Sequence, residues 1–150
     1  MLVLGRYDGP DRHWISADRA VVVTRNGRLI RTFGIGPDMR DTRDLDADPI
    51  ANGIYDFGLP ARRVVDAGTP LKFGIPVDST FEVVGRRDIT IMDTPHDTLL
   101  VREFNRAPTL RWVFENEFWL DFATGYTWKS VQHFSPETPP IEIEVYKRDL

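Results

Sequence analysis

The 150-residue chain contains no cysteine, which removes disulfide frameworks, thiolate zinc sites and thiol nucleophiles together. Histidine is nearly as scarce: His13, His96 and His133 are far apart, so no local metal signature exists. Long apolar runs are missing too. None is longer than Ala20 to Val23, far short of the roughly 20 residues a membrane-spanning helix needs. Met1 to Gly9 is too short and mixed for a signal peptide, so any export signal is expected to lie outside this chain. Nor is there an excess of positive charge. With 19 Lys and Arg against 23 Asp and Glu the net charge is -4, which leaves no electrostatic footprint for nucleic acid. The basic pairs Arg62-Arg63 and Arg86-Arg87 read as solvated strand ends. Also absent are G-x-S-x-G, a glycine-rich phosphate loop and a Ser-His-Asp grouping. This reading assigns no catalytic residue, no cofactor and no metal ligand.

What the chain does hold is aromatic and β-patterned. Four Trp, four Tyr and nine Phe are present, densest between Leu110 and Phe134. There Leu110, Trp112, Phe114, Phe118 and Leu120 share one parity, and Arg111, Glu115, Glu117 and Asp121 the other, the period of a strand with one buried face. A loop from Asp121 to Gly125 precedes Tyr126, Trp128 and Phe134. The predicted register sets Leu120 opposite Tyr126, Phe118 opposite Trp128, Trp112 opposite Phe134 and Glu117 opposite Lys129, giving a wall of cross-strand aromatic pairs.

Earlier in the chain, Asn26-Gly27 is a strong hairpin signal, because a type I′ turn needs positive φ at both central residues. It pairs Arg25 with Arg28 and Val23 with Ile30, with arms from about Ala20 to Arg25 and Arg28 to Phe33. Val21, Val23 and Ile30 then share a face. From Gly34 to Gly58 the composition predicts a long loop, with Asp38 capping a short helix over Met39 to Leu45 that stops before Pro49. Further strands are expected at Arg62 to Asp66, Phe73 to Val84, Asp88 to Met92 and Thr98 to Phe104, with turns at Gly68 to Pro70, Gly85-Arg86 and Asp93 to Asp97. Pro76 favours an edge position or a bulge. Ile141, Ile143 and Val145 alternate with Glu142 and Glu144 in a half-buried terminal strand. The fold expected is mainly β, one domain over residues 1–150 built as an antiparallel barrel-like or strongly curved sheet with few short helices.

Three patterns invite chemistry. Asp44, Asp46 and Asp48 open like a calcium loop, but Pro49 stands at the glycine position and Tyr55 at the bidentate glutamate, so a solvated acidic loop is the better reading. Glu115 with Glu117, and Glu142 with Glu144, are spaced like glycosidase carboxylates, yet alternation with apolar residues is the ordinary outer face of a sheet. Trp119 lies on the outer parity. An indole there either stacks on a sugar or partner surface or is covered if the sheet curls. His133 falls on the less apolar face of its strand. Trp14, Trp119 and His133 are the candidate contacts for a glycan or partner.

Three stretches, WISADRAVVVTRNGRLIRTFGI, GIPVDSTFEV and FENEFWLDFATGYTWKSVQHFSPETPPIEIEVYK, resemble the YjbF/GfcB family of exopolysaccharide and group 4 capsule lipoproteins from Trp14 to Lys147. The most specific pieces lie at Val23 to Thr32 and Phe118 to Gln132. Arg19 departs from the glycine expected after Ser16-Ala17-Asp18, and the lipid-bearing cysteine is not in the chain. The resemblance implies a lipid-anchored, β-rich, non-enzymatic accessory protein at the periplasmic face of the outer membrane. Its partners would be polysaccharide or polysaccharide-export proteins. FWLDFATGYTWKS is also similar to a strand-turn-strand of LolA-like half-barrels. That implies the alternative of a lipid or acyl-chain carrier, with Trp112, Phe114, Phe118 and Trp128 lining an open cavity.

Overall fold

The structure, a computed structural model, describes residues 2–147. β1 (Leu2–Asp8), β2 (Asp11–Ser16), β3 (Val21–Arg25) and β4 (Arg28–Phe33) form a four-stranded antiparallel meander. β5 (Met39–Arg43), β6 (Ala61–Ala67), β7 (Lys72–Ile91), β8 (Thr94–Ala107), β9 (Trp112–Asp121), β10 (Thr127–Gln132) and β11 (Ile141–Glu144) follow in order in a seven-stranded sheet. This second sheet curls into a half-barrel. A single helical turn, α1 (Pro49–Asn52), links β5 to β6. The mainly β, strongly curved architecture is the one the alternating patterns call for.

The Asn26-Gly27 corner forms as expected, with Asn26 at φ 48° and Gly27 at φ 89° and with Arg25 opposite Arg28. One bulge beyond the turn moves Val23 from Ile30 to Arg31. Val21, Val23 and Ile30 still share a cluster, closed by Leu45 and Ala51. Val22 and Leu29 enter the main core with Met39, Val65, Ile75, Val77, Ala107 and Phe134. The β3–β4 ribbon is therefore covered on both faces, as a plug inside the half-barrel.

Two expectations are corrected. Met39 to Arg43 is strand, not helix: it pairs with β6, while Thr42 Oγ1 donates to the Ile30 carbonyl at 2.8 Å. Asp38 caps no helix; it accepts from Thr32 Oγ1 at 2.9 Å and from the Gly34 and Ile35 amides. The helical turn instead begins at Pro49, whose fixed φ suits a first helical position, with Asp48 as N-cap. The Gly85-Arg86 turn is likewise a bulge inside a continuous β7, and the chain reverses at Met92-Asp93, both at positive φ. Pro76 pairs with Val64 on β6, and β8 joins only from Asp78 onward, so proline occupies a local edge.

The aromatic hairpin keeps its β9 parity and loses its predicted register. Leu120 faces Thr127, and past a bulge at Trp128, Phe118 faces Ser130 while Trp119 faces Lys129. The cause is local. Asp121 Oδ1 accepts from the Ala123 and Thr124 amides, and its own amide bonds the Tyr126 carbonyl at 2.6 Å, which delays the start of β10 by one residue. Trp128 is thereby turned to the outer face, where it donates to Asp121 Oδ2 at 3.0 Å and stacks on His96 at 4.0 Å. The inward places go to Ser130 and Gln132. Gln132 ties the two sheets by accepting from the Leu29 amide at 2.9 Å and donating to the Gly27 carbonyl at 2.8 Å.

The four aromatic residues of the carrier reading do not line one common cavity: among them only Phe114 borders an open cavity, of about 840 Å³, with Phe104 and Val113. Phe118 is fully buried against Ile50, Val101 and Leu120, Trp112 and Phe114 pack on the main core, and Trp128 is on the opposite face.

Candidate functional site

At the centre of the half-barrel lies a buried polar row. On β8 the inward parity carries Glu103 and Asn105 after Leu99 and Val101, and on β9 it carries Asn116 between Phe114 and Phe118. Glu103 Oε1 accepts from Arg28 Nη1, Asn105 Nδ2 and Asn116 Nδ2, each at 2.9 Å. Arg28 also donates to Glu103 Oε2, and through Nε to Asp48 Oδ2 at 2.8 Å. Asp48 Oδ1 in turn accepts from the Ile50 amide at 2.9 Å. Arg63 donates to Ser79 Oγ at 2.7 Å and stands 3.8 Å from Glu103. One arginine thus joins the plug, the half-barrel floor and the helix N-terminus.

Burial drives the Glu103 carboxyl up, but the charges of Arg28 and Arg63 and the hydrogen bonds from Arg28 and Asn105 outweigh it and hold its pKa at about 2. Burial opposes the charge on Arg28 as well, and Asp48 and Glu103 raise it well above the ordinary arginine value. For Glu103 the unfolded carboxyl, at the ordinary 4.5, takes up its proton first as pH falls. Its stabilising contribution is complete above about pH 4.5 and is lost towards about pH 2. Urea unfolding at about pH 5 and about pH 3 should show a marked loss for the native chain and a smaller loss for Glu103→Gln. Equal losses would contradict the assignment.

Above this row three turns meet. Asn26 Nδ2 donates to the Ala51 carbonyl at 2.6 Å, and Thr127 Oγ1 donates to the Asn26 backbone carbonyl at 3.2 Å. Asn52 closes α1 by donating to the Leu45, Asp46 and Asp48 carbonyls. A Cβ on Gly27 would sit 2.5 Å from Thr127, so only glycine admits the approach. Gly27→Ala should therefore cost about 1–3 kcal/mol, and less in a Thr127→Gly background. An undiminished cost would show that the two turns are not in contact.

Beside these turns opens a cleft of about 370 Å³, lined by Arg12, Trp14 and Thr24, by Asn26, Gly27, Asn52 and Gly53, by the 124–127 turn, and by Lys129, Ser130, Ile143 and Val145. Trp14 is oriented by a 3.0 Å bond from Nε1 to Thr24 Oγ1. The lining supplies amides, hydroxyls and a guanidinium around an indole. That combination suits a polyhydroxylated ligand with one apolar face.

The three candidate contacts do not converge. Trp14 borders the cleft. Trp119 lies on the outer face, and Lys129 Nζ covers its ring at 5.1 Å from the centroid. His133 packs against Trp112 and Phe114 and bonds Asn116 Oδ1 through its amide at 2.9 Å. The outer carboxylates are each bridged by a cation: Glu115 and Glu117 by Arg102 at 3.8 and 3.6 Å, and Glu142 and Glu144 by Lys129 at 3.4 and 3.5 Å. Asp48 is engaged with Arg28 and the helix cap instead of joining Asp44 and Asp46. Among the described residues no three His, Asp or Glu gather as metal ligands.

Comparison with known proteins agrees with this geometry. The family model "Group 4 capsule polysaccharide lipoprotein gfcB, YjbF" matches residues 1–146. The chain is 27% identical over 150 residues to the lipoprotein GfcB of Escherichia coli (strain K12), spanning 97% of this chain and 69% of the relative. To the lipoprotein YjbF of the same strain it is 23% identical over 155 residues, spanning 97% and 68%. The fold is similar to the crystal structure of the lipoprotein YmcC from Escherichia coli K12, with a TM-score of 0.89 at 24% identity over 99% of this chain and 77% of that one. These relatives are named as lipoproteins, and none is named as an enzyme. With residues 1–146 matched by the family model, the chain belongs to the GfcB/YjbF family of group 4 capsule polysaccharide lipoproteins.

Proposed function

We propose that this protein is a non-enzymatic accessory component of capsule or exopolysaccharide production and secretion, and that it holds a glycan strand in the cleft beside Trp14. It works as one folded unit, at the periplasmic face of the outer membrane, through a lipid anchor lying outside the given chain. The observation that carries this reading is the meeting of the two most family-like stretches, through Asn26-Gly27 and the 124–127 turn, at one polar cleft with an indole on its wall. The cation-bridged carboxylates support binding over hydrolysis, and the packing of Phe118 in the core with Trp128 on the opposite face favours this reading over lipid carriage.

Deleting the gene should lower the yield or length of extracellular polysaccharide. The native protein should restore it, and a folded Trp14→Leu protein should not. Unchanged polymer on deletion would refute the reading.

A further inference from the structure

The strand registers gather one set of turns at one end of the fold. Leu2 pairs with Ser16, Ile15 with Val21, Val21 with Phe33, and Gln132 with Ile141. The Gly68 amide donates to the Asp38 carbonyl at 3.1 Å, which brings the 34–38 and 68–71 turns together. Residues 109–111 and 134–137 join them around a depression of about 360 Å³. Leu2 therefore shares an end with these loops, and the cleft turns at 26–27 and 124–127 lie at the other end of the same strands.

The two ends differ in charge. The connections at the cleft end carry Asp44, Asp46, Asp48, Asp56 and Asp93 and no lysine or arginine. The Leu2 end carries Arg19, Lys72 and Arg111 with Asp18, Asp38 and Glu137. Asp38 is turned onto Thr32 Oγ1 and the Gly34 and Ile35 amides. Among the described residues Arg19, Lys72 and Arg111 have no ion-pair partner. Lys72, Arg111 and Glu137 are the exposed charges lining the depression, whose buried lining includes Ile75 and Phe134. Beside it Phe73 is 75% exposed and Ile35 36% exposed.

We propose that this end docks on an anionic phospholipid surface, with Lys72 and Arg111 on headgroup phosphates and Phe73 and Ile35 entering the interface. Unpaired cations gain from an anionic surface, and exposed aromatic and aliphatic side chains add burial there. The aspartates of the far end are repelled, so the cleft is held facing away from the bilayer. The proposal rests on the anchored reading of the proposed function only in that an anchor joined ahead of Leu2 brings this end to the membrane; the glycan is not involved.

The chain has no cysteine, so Ala17→Cys, Thr109→Cys and Asp93→Cys each accept one nitrobenzoxadiazole label. A hexahistidine linker ahead of Met1 replaces the anchor and holds the full chain on vesicles of phosphatidylcholine and nickel-chelating lipid, with or without phosphatidylglycerol. Phosphatidylglycerol should raise emission at least twofold at 17 and 109, leave 93 unchanged, and lose its effect in high salt. Lys72→Glu with Arg111→Glu, which removes two attractions of about fivefold each, should abolish the rise. No rise, an equal rise without phosphatidylglycerol, an equal rise at 93, or a rise that survives charge reversal and salt would overturn the proposal. Because the assay holds no glycan and supplies its own tether, such a failure would leave the cleft and the anchor standing.

Discussion

Replacing Arg28 with methionine is expected to remove about 3–5 kcal/mol of folding stability, a large part of the roughly 5–15 kcal/mol that keeps a domain folded. The size follows from what remains behind. Arg28 is 1% exposed, and its partners Glu103 and Asp48 are 0% and 3% exposed, so Asp48 would be left in the interior without a counter-charge and Glu103 with Arg63 alone, at 3.8 Å. Desolvating an unpaired charge costs more than the paired state gains over an apolar core. Adding Glu103→Gln to Arg28→Met should recover part of the loss, because one of the stranded charges is then gone. Urea midpoints for the two single variants and the double variant measure this. A loss below about 1 kcal/mol for Arg28→Met would mean that water reaches the row. The variant also bears on function. Asp48 holds the start of α1, and Asn52-Gly53 at its end forms part of the cleft, so the end of the cleft loosens when Arg28 is lost.

Phe118→Ala is the second large effect, about 3–5 kcal/mol. The ring is 0% exposed, packed among Ile50, Val101 and Leu120, with the Arg28 guanidinium 5.2 Å from its centroid. Truncation opens a cavity beside the charged row as well as losing apolar contact. Trp128→Ala should cost less than half as much despite the larger side chain, because the bulge places Trp128 on the outer face against His96. Thermal or urea unfolding of both variants distinguishes the registers. Equal losses would restore the aromatic pair of Phe118 with Trp128 and contradict the bulge.

The features legible in the sequence were those with a local cause. Asn26-Gly27 specified its turn through backbone conformation alone, and the parity of Leu110 to Leu120 specified which face of β9 is buried. β1 and β2 were missed because Leu2 to Ser16 mixes charge and glycine with apolar residues, and β1 pairs with β2 alone. Met39 to Arg43 deceived because Asp38 looks like a cap, while pairing with β6 and the bond to Ile30 decide the outcome. One residue of delay at the Asp121 loop and one more at the Trp128 bulge were enough to undo the cross-strand pairs, since register depends on how the turn is hydrogen bonded. At the site, Trp14 was singled out and borders the cleft, but Arg28, Glu103 and Asn116 were not. A signal was present: Glu103, Asn105 and Asn116 are polar residues on otherwise apolar parities, a pattern that marks a buried polar network. Their shared partner Arg28 comes from 75 residues away along the chain, beyond the reach of any local pattern.

The central claim is that a glycan occupies the cleft where the three turns meet. Oligosaccharides prepared from the host polysaccharide, titrated into isotope-labelled protein, test it through amide and indole chemical shifts. The account predicts saturable shifts at the Trp14 indole and at residues 26–27, 52–53 and 124–127, with the Trp119 face unmoved. Shifts confined to Trp119 and Lys129, or none at saturating oligosaccharide, would contradict it.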